Sequence, residues 1–298
     1  MAETQTPHIA VVIPCYNEAI TIQRVIADFR AQLPDAEFHV FDNNSSDDSA
    51  RLAAEAGATV HSVRKQGKGN VIQKAFESIV ADAIVMADGD DTYFAEDVHK
   101  LLEPVLRGEI DMVVGDRLPT ASDENMRWHR HLGNRLIVWS INRMFGTRFR
   151  DILSGYRVFS RRFVENVPLL TPGFETETEM TLQALEEGME IIEMTVSYRS
   201  RPVDSHSKLN AVRDGYRIML TAAILLRDHN PLRVFGLLSL VLLLAALVLF
   251  VLTLTGNAAL LIYGALLALL SASAFGLGLV LNAVNTRFRQ LKQIIQRK

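Results

Sequence analysis

Short runs rich in apolar residues alternate with longer amphipathic stretches along the first two thirds of the chain. The short runs, which are typical of buried parallel strands, lie at residues 9–13, 38–41, 58–62, 83–87, 112–114 and 191–196. Between them, apolar residues recur at helical spacing and predict helices over residues 22–29, 49–56, 67–80 and 96–106. This alternation predicts an α/β fold, a Rossmann-like and mostly parallel sheet with helices on both faces.

The last third of the chain has a different pattern. Residues 234–286 contain no charged side chain, which is typical of a bilayer-spanning region and not of a soluble domain. Residues 234–254 and 260–282 are each long enough to cross the membrane at ~1.5 Å per residue, and we expect two transmembrane helices. Residues 208–227 place apolar and charged positions on opposite helical faces, which predicts an amphipathic helix lying in the headgroup plane.

These patterns divide the chain into four parts. We predict a cytoplasmic α/β domain at residues 1–207, a juxtamembrane amphipathic helix at 208–230, two transmembrane helices at 231–284 and a basic tail at 285–298. Basic residues flank the two spans, whereas the short break between them has no charge. The positive-inside rule therefore predicts an integral membrane protein whose two ends lie on the cytoplasmic face of a bacterial or archaeal plasma membrane.

Composition narrows the classes of function. The formal net charge of −3 gives no bulk basic signal, so we expect no nucleic-acid partner. The single cysteine, Cys15, excludes an internal disulfide and suits a reducing compartment. The polar residues 1–8 lack the pattern of a signal peptide.

Three carboxylates, Asp88, Asp90 and Asp91, follow the apolar run at residues 83–87 directly, and we expect them at a solvent-facing strand end. Crowded carboxylates repel one another unless a cation lies between them. Mg²⁺ or Mn²⁺ prefers such oxygen ligands and usually binds together with a diphosphate, and Gly89 would let phosphate approach the backbone. An isolated Asp-x-Asp is more often a solvated acidic turn, so the interpretation depends on the neighbouring segments.

Polar segments follow other predicted strands as well. They read PCYNE at residues 14–18, DNNSSD at 42–47 and GKG at 67–69. Because ligands of parallel sheets bind beyond the carboxyl ends of the strands, we expect these segments to meet the acidic triplet at one edge. Tyr16 can stack on a base, Asp42 can accept a hydrogen bond from base or ribose, and Lys68 can meet phosphate near a helix start.

Taken in order, these segments resemble the nucleotide-sugar domain of family 2 glycosyltransferases, which has the GT-A fold. The later segments GDR at 115–117, DILSGYR at 151–157 and SKL at 207–209 are similar to the polyprenyl-phosphate glycosyltransferases, a group that includes dolichyl-phosphate mannose synthase. The resemblance covers about residues 8–230. One position departs from the pattern, because relatives usually have glycine where His206 precedes Ser207.

The resemblance implies the ligands. The donor is expected to be a nucleotide-sugar, UDP- or GDP-linked with UDP favoured, and the acceptor a polyprenyl phosphate such as undecaprenyl or dolichyl phosphate held in the lipid bilayer. The cofactor is expected to be Mg²⁺ or Mn²⁺, and the reaction a single inverting displacement. The acceptor phosphate is already anionic at neutral pH, since its second pKa lies near ~6, so a dedicated general base is optional.

The same resemblance implies roles for individual residues. The metal ligands are expected to be Asp88 and Asp90. The donor-binding residues are expected to be Pro14, Tyr16, Asn17, Glu18, Asp42, Lys68, Asp88 and Glu177. The catalytic residues are expected to be Asp90, Asp116 and Arg117. Because the arginine fork matches phosphate, we expect the acceptor phosphate to be bound by residues among Arg117, Arg135, Arg143, Arg157, Arg199, Arg201 and Lys208.

Two further segments admit alternatives. The acidic stretch ETETE at residues 175–179 is similar to a segment of N-acetylhexosamine-transferring members, but it also suits a solvated first helical turn, where acids favour the dipole. Residues 128–145 predict an amphipathic helix that contains both tryptophans, Trp128 and Trp139. That helix suits either a membrane interface or ordinary packing.

Two other classes of protein compete with a polyprenyl-phosphate glycosyltransferase. A processive polysaccharide synthase would carry Gln-x-x-Arg-Trp and more spans, and ENMRW at residues 124–128 is only a partial match that lies too early. A non-catalytic membrane scaffold with a degenerate domain is disfavoured, because the acidic triplet and Lys68 are intact. The sequence leaves open the sugar, the lipid length, the choice of metal and whether the chain forms a homo-oligomer.

Overall fold

The computed structural model describes residues 6–118, 128–173, 175–202, 220, 224, 227, 230–254 and 257–296. The chain divides into two compact units, the first ending at residue 221 and the second beginning at residue 222. The predicted amphipathic helix at 208–230 lies almost entirely outside the described residues. The two units are considered one at a time below.

A seven-stranded sheet forms the centre of the first unit. Its strands are β1 (Ile9–Cys15), β2 (Glu37–Asp42), β3 (Thr59–Ser62), β4 (Ala83–Met86), β5 (Met112–Asp116), β6 (Arg157–Ser160) and β7 (Ile191–Thr195). Their spatial order is β3-β2-β1-β4-β6-β5-β7. Only β6 runs antiparallel to its neighbours, β4 and β5, and the other pairs are parallel. The predicted mostly parallel α/β sheet is therefore confirmed, with β6 as an unpredicted insertion.

Helices cover both faces of this sheet. They are α1 (Ile22–Gln32), α2 (Ser49–Glu55), α3 (Lys68–Ser78), α4 (Val98–Leu106, after a 3-10 turn at Ala95–Asp97), α5 (Trp128–Phe145), α6 (Arg161–Asn166) and α7 (Thr176–Glu186). Residues of α1, α2 and α4 share one buried apolar cluster, and residues of α3, α6 and α7 share another. Alternation along β4 explains the two layers, because Val85 enters the first cluster while Ile84 and Met86 enter the second.

The topology gathers the polar segments at one edge of the sheet. In a parallel pair the carboxyl ends of both strands lie at the same edge, and β1 pairs in this way with both β2 and β4. The strands β4 and β5 are each antiparallel to β6 and therefore parallel to one another, as is β7 to β5. The segments that follow these strands consequently meet where ligands of such sheets bind.

The second unit contains two long apolar helices, α8 (Pro231–Thr253) and α9 (Ala259–Gln296). By length and composition they provide two candidate membrane spans, Pro231–Thr253 and Ala259–Phe288, with mean hydropathies of 3.1 and 2.1. Small side chains bring the helices together: the hydroxyls of Ser239 and Ser271 lie 2.9 Å apart, and a Cβ at Gly278 would lie 2.8 Å from Phe235. Helix α9 continues without a break into the predicted basic tail.

Candidate active site

The carboxylate of Asp88, just beyond β4, is bound by the ammonium of Lys68 at the start of α3. Lys68 Nζ lies 2.6 Å from Asp88 Oδ1 and 2.8 Å from Glu177 Oε1, so it bridges β4 and α7. Burial raises the pKa of Asp88, but the charge and hydrogen bond of Lys68, together with the charges of Arg201 and Arg117, outweigh burial, and the net shift is downward. Burial lowers the pKa of Lys68, but the charges and hydrogen bonds of Asp88 and Glu177 together raise it by more. The net shift is upward, so the ammonium stays charged.

Asp90 lies deeper than Asp88 and has both carboxylate oxygens engaged. Thr92 donates from its hydroxyl to Asp90 Oδ1 at 2.7 Å, and the guanidinium of Arg201 lies 2.5 Å from Asp90 Oδ2. Burial and the repulsion of Asp88 raise the pKa of Asp90, and Arg201 opposes that shift. Only 4% of Asp90 is exposed, so the expectation that it faces solvent is wrong.

These two carboxylates fit a divalent cation that arrives with a diphosphate. One residue separates Asp88 from Asp90 in the sequence, and their negative charges repel each other. This repulsion adds to burial, the main cause, in raising the pKa of Asp90. Among the described residues, no group of three or more His, Cys, Asp or Glu side chains is arranged to hold a metal. Mg²⁺ is commonly bound by one or two carboxylates plus substrate phosphates, so the missing ligands would be diphosphate oxygens.

Gly155 makes room for the carboxylate of Asp88. A Cβ at this position would lie 2.5 Å from Asp88 Oδ2, which is closer than real Cβ contacts allow. The Gly155 N–H donates to the hydroxyl of Tyr93 at 3.0 Å, which fixes the loop against the residues that follow β4. The DILSGYR segment at residues 151–157 thus forms one wall of the candidate site.

In the Gly67–Gly69 turn, the backbone N–H groups of both glycines bind other parts of the protein. The Gly67 N–H donates to Asn43 Oδ1 at 2.7 Å, and the Gly69 N–H donates to the carbonyl of Pro172 at 3.0 Å. A Cβ at Gly69 would lie 1.9 Å from the carbonyl oxygen of Thr171. These glycines therefore permit close packing of the loop at residues 171–172. In the same turn, the side chain of Lys68 contacts the carboxylates of Asp88 and Glu177. In the acidic segment, Gly89 does not have a positive φ, whereas Asp91 has a φ of 58°.

The ends of β1 and β2 form a neighbouring polar region. Asp42 is 7% exposed, its Oδ2 accepts from the Ser45 N–H at 3.2 Å, and its Oδ1 has no hydrogen-bond partner among the described residues. Because a buried acceptor without a partner is costly, Oδ1 is suited to accept from a ligand N–H or O–H. Tyr16, 36% exposed, lies in the segment that follows β1. Pro14 is the penultimate residue of β1 and is partly buried.

Asn17 and Glu18 are held by the loop before α2. Asn17 adopts a positive φ of 53°, and its Oδ1 accepts from the Ser46 N–H at 2.7 Å. The Glu18 N–H donates to the hydroxyl of Ser49 at 2.7 Å, and Glu18 is 8% exposed. Both residues thus lie at the predicted edge, where their backbone links the ends of β1 and β2.

Asp116 is the last residue of β5 and Arg117 follows it, and the guanidinium of Arg117 is paired with an internal carboxylate. Arg117 Nε donates to Asp151 Oδ2 at 2.7 Å, and its Nη2 donates to the carbonyl of Leu153 at 3.1 Å. Asp116 is 3% exposed and accepts from the Leu118 N–H at 3.1 Å. Burial is the main cause that raises the pKa of Asp116, and the charge of Asp151 adds to it.

Arg157 is fully buried, so its interpretation as a candidate for phosphate binding is wrong. Its guanidinium donates to the carbonyls of Ile152 at 2.5 Å, Ser154 at 2.9 Å and Glu177 at 3.0 Å. It therefore ties the DILSGYR segment to the first turn of α7. Sequence reasoning missed this structural role of Arg157. The signal in the sequence was that Arg157 directly precedes two apolar residues, Val158 and Phe159, which indicates a buried position.

The acidic stretch at the start of α7 is buried, so the alternative of a solvated helical turn is wrong. Glu175, Glu177 and Glu179 are 6%, 3% and 2% exposed. Glu179 accepts from the backbone N–H groups of Leu170 and Thr171, each at 2.9 Å. Glu177 pairs with Lys68 through Oε1, and its Oε2 has no hydrogen-bond partner within the described part of the chain.

The segment after β7 is strapped to the acidic triplet. Tyr198 forms a β-bridge with Tyr93, and the Arg199 N–H donates to the carbonyl of Thr92 at 2.9 Å. The Arg199 guanidinium forms an ion pair with the carboxylate of Asp91 and donates from Nε to its carbonyl at 2.7 Å. Arg199 and Arg201, both expected among the residues that bind the acceptor phosphate, thus lie against the carboxylates of Asp91 and Asp90.

A cavity of about 450 Å³ opens beside Asp116. Its lining consists of Asp116, Thr147, Arg148, Phe149, Arg150, Ile191, Ile192, Glu193 and Thr195. Glu193 accepts from the backbone N–H groups of Arg150 at 2.6 Å and Asp151 at 2.8 Å. Burial, reinforced by the charges of Asp116 and Asp151, outweighs these bonds and raises the pKa of Glu193 to about 7. Sequence reasoning missed Glu193, although an acid within an apolar strand was visible.

The remaining predicted residues are either exposed on α5 or lie outside the described residues. Arg135 and Arg143 are exposed on α5, and Trp139 is 64% exposed while Val138 and Ile141 of the same helix are buried. Lys208 and His206 lie outside the described residues, as does most of the ENMRW segment.

Sequence comparisons place this site in a known family. The family described as Glycosyl transferase family 2 matches residues 10–167. Glycosyltransferase AglJ of Haloferax volcanii is 38% identical over 229 residues, which cover 76% of this chain and 75% of that protein. Polyprenol monophosphomannose synthase of Mycolicibacterium smegmatis is 24% identical over 210 residues, 66% of this chain and 79% of that protein.

Solved structures agree with this assignment. Glucosyl-3-phosphoglycerate synthase from Mycobacterium tuberculosis, in complex with Mn²⁺ and uridine-diphosphate-glucose, is similar with a TM-score of 0.58 and 25% identity. The match covers 72% of this chain and 79% of that one. The GT-A-like fold predicted from the motifs is therefore confirmed. The family match covers more than half of this chain. The chain therefore belongs to glycosyl transferase family 2 and is a glycosyltransferase.

Proposed function

We propose that this enzyme transfers a sugar from a UDP-sugar to a polyprenyl phosphate at the cytoplasmic face of a membrane. The observation that carries the proposal is the cluster in which Asp88 and Asp90 meet Lys68 and Arg201, in a chain that ends in two apolar helices. Alternating buried charges of this kind suit a diphosphate and its cation. The helices suit an acceptor that is itself in the bilayer.

Three observations support a UDP-linked donor. The similar solved enzyme binds uridine-diphosphate-glucose with Mn²⁺. Asp42 offers a buried carboxylate oxygen that can accept from a base N–H or a ribose hydroxyl. Tyr16 offers an exposed ring in the same region. A divalent cation held by Asp88 and Asp90 would neutralise the diphosphate as it leaves.

The sugar is proposed to be an N-acetylhexosamine, bound near α7. Glu177 is 3% exposed and keeps one carboxylate oxygen without a hydrogen-bond partner in the described residues. That oxygen can accept from a sugar hydroxyl or an acetamido N–H. Lys68 holds the other oxygen, so the carboxylate is fixed before the sugar arrives.

A lipid phosphate is the proposed acceptor, and a relative named polyprenol monophosphomannose synthase supports that class. Such a phosphate is largely ionised at neutral pH, with a second pKa of ~6, so the protein must position it and screen its charge. Arg201 is the strongest candidate to do so because it lies against Asp90. Asp116 and Arg117 are proposed to act next to the reacting centre, and Arg135, Arg143, Arg199 and Lys208 remain proposed phosphate-binding residues.

The orientation in the membrane is proposed from charge. Arg227 precedes the first candidate span, Arg233 lies near its start and Arg287 near the end of the second, whereas residues 254–258 between the spans have no charge. A carboxyl-terminal tag is therefore expected on the cytoplasmic side, and a tag inserted at Asn257 on the opposite side. Protease protection of sealed vesicles measures both positions.

One assay separates the candidate activities. Membranes containing the enzyme are incubated with radiolabelled nucleotide-sugars and a polyprenyl phosphate, and the products are partitioned between organic and aqueous phases. The proposal expects an organic-soluble product, formed best from a UDP-N-acetylhexosamine and lost in Asp90→Asn. A polymer would indicate a processive synthase, and a small aqueous product an acceptor like the phosphoglyceric acid that the similar synthase binds. No product from any donor would favour a scaffold and overturn the proposal.

A further inference from the structure

In the structure, the two carboxylates that fit a metal ion, Asp88 and Asp90, form ion pairs with cationic side chains of the protein itself. Asp90 Oδ2 contacts Arg201 at 2.5 Å, Asp90 Oδ1 accepts from Thr92, and Asp88 Oδ1 contacts Lys68 at 2.6 Å. A divalent ion on Asp90 must therefore displace an existing partner. Of the two partners of Asp90, Arg201 is positively charged like the ion, so Arg201 is the one that the ion would displace.

Arg201 and Lys68 differ in how firmly they are held. Lys68 lies between two carboxylates at the start of α3, and its side chain is 11% exposed. The side chain of Arg201 is 30% exposed, and its residue follows the strap that Arg199 fastens to Asp91. The strap anchors the backbone two residues away, so the Arg201 side chain can leave Asp90 while the segment stays in place.

Charge balance determines what can replace Arg201. Three carboxylates, those of Asp88, Asp90 and Glu177, face the two cations Lys68 and Arg201. A divalent ion bound beside an undisplaced Arg201 would leave this cluster with an excess of one positive charge, which is costly at low dielectric, so Arg201 must leave as the ion binds. An ion that arrives alone leaves the displaced guanidinium without its carboxylate, whereas a diphosphate that arrives with the ion offers the guanidinium a new anionic partner.

We propose that Arg201 guards the metal site: it occupies Asp90 in the free enzyme and gives way only when the cation arrives with a nucleotide diphosphate. The inference rests on the proposed function for the assignment of Asp88 and Asp90 to a divalent cation. It adds that binding of metal and nucleotide is strongly coupled, and that donor binding releases the Arg201 guanidinium at the edge where an acceptor phosphate is expected.

The test measures binding and needs no turnover. Mn²⁺ is titrated into the full-length protein in detergent at about pH 8, with and without UDP, and free Mn²⁺ is followed by electron paramagnetic resonance. The parental protein should bind Mn²⁺ weakly alone and much more tightly with UDP. Arg201→Gln should bind Mn²⁺ alone at least about tenfold more tightly than the parental protein, the size of one charge-assisted contact.

Two further variants serve as controls. Arg201→Lys keeps the cation and should behave like the parental protein. Arg24→Gln removes an exposed guanidinium that contacts Asp91 at 3.3 Å, so it perturbs the acidic triplet without touching Asp88 or Asp90. It should leave Mn²⁺ affinity unchanged, and tryptophan fluorescence confirms that each variant is folded.

The outcomes distinguish this inference from the proposed function. Equal Mn²⁺ affinity in the parental protein and in Arg201→Gln, or equal affinity with and without UDP while Mn²⁺ still binds, overturns the guarding role and leaves a metal-dependent transferase standing. A gain in Arg24→Gln as large as in Arg201→Gln also overturns it, because the effect would be general electrostatics. Absence of Mn²⁺ binding in every variant, even with UDP, refutes the metal assignment and the inference with it.

Discussion

At the scale of single residues, the candidate site is built from buried charges that neutralise one another. Lys68 is enclosed by Asp88 and Glu177, and Asp90 is closed by Arg201. Arg157, with no exposed surface, is satisfied mainly by carbonyl oxygens. Such groups are costly to leave unpaired, so small changes in their surroundings should have large effects.

Gly155→Ala tests how tightly the Asp88 carboxylate is positioned. The added Cβ would lie 2.5 Å from Asp88 Oδ2 and must push that carboxylate away from Lys68. We expect transfer to fall at least about tenfold, since displacement by even ~1 Å is costly in a preorganised site. Gly89→Ala is the matched control in the acidic motif, because its Cβ would meet neighbours only at 3.5 Å. Steady-state rates that fall equally in both variants would argue against the close-approach explanation.

Glu193 should make the stability of the first unit depend on pH. Burial is the main cause that raises its pKa from 4.5 to about 7, so the folded protein binds this proton more tightly than the unfolded chain does. Stability from this group is therefore greatest below about pH 4.5 and declines until about pH 7, by at most roughly 3 kcal/mol.

The comparison with Glu193→Gln isolates that contribution. Other groups titrate alike in both proteins, so the parental free energy of unfolding should fall relative to the variant between about pH 5 and about pH 7, then stay level. Both tryptophans lie on α5, so their fluorescence during denaturant unfolding reports on the first unit alone. A difference that is constant over this range would contradict the assignment.

At the scale of elements, the parallel part of the sheet follows from its apolar runs, and β6 does not. The runs that predict β1, β2, β4 and β5 are apolar because these strands are buried by helices, whereas β3 and β7, at the two edges of the sheet, are only partly buried. Strand β6 has four residues and begins with Arg157, whose burial depends on acceptors from other segments. Nothing local marks such a strand, so the antiparallel insertion could not be predicted.

The site was predictable to a similar extent. Residues at or just beyond the carboxyl ends of the parallel strands, such as Asp42 and Asp88, were expected at one edge because topology alone takes them there. The partners of those residues were not predictable. The pairing of Asp90 with Arg201 joins positions more than a hundred residues apart and depends on the strap after β7.

Helix α7 positions the neighbouring loop through Glu179, and this link can be tested. Glu179 accepts from Leu170, Thr171 and Gln183, and the following carbonyls at residues 171 and 172 pack on Gly69 and Gly67. Glu179→Ala removes these acceptors from two partly buried N–H groups, which costs less than the roughly 1–3 kcal/mol of a fully buried group.

Hydrogen exchange measured by mass spectrometry should show the consequence of Glu179→Ala at residues 168–173. Exchange there should accelerate, and donor affinity should fall because Lys68 lies in the adjoining turn. Glu77→Ala is the control, since Glu77 lies exposed on α3 and its 3.8 Å pair with Lys74 is a surface contact of little energy. Unchanged protection in Glu179→Ala would show that the loop is held by packing alone.

At the scale of the whole molecule, catalysis and membrane attachment are assigned to separate parts of the chain. Within the described part of the chain, the buried residues of the two apolar clusters of the first unit lie between Ala10 and Val196. The apolar helices α8 and α9 contact one another through Ser239, Ser271 and Gly278. The folding of the first unit is therefore expected not to require the second.

A chain that ends at residue 230 tests this division. It should bind UDP with Mn²⁺ as the full-length enzyme does, because the residues assigned to the donor and metal precede residue 202. With a short, water-soluble prenyl phosphate it should turn over at a rate near that of the full chain. With a long polyprenyl phosphate in vesicles it should be at least about tenfold slower, since the full chain gains from confinement to the same surface as its acceptor. Equal rates on the long lipid would refute an anchoring role for α8 and α9, and loss of UDP binding would show instead that the first unit depends on them.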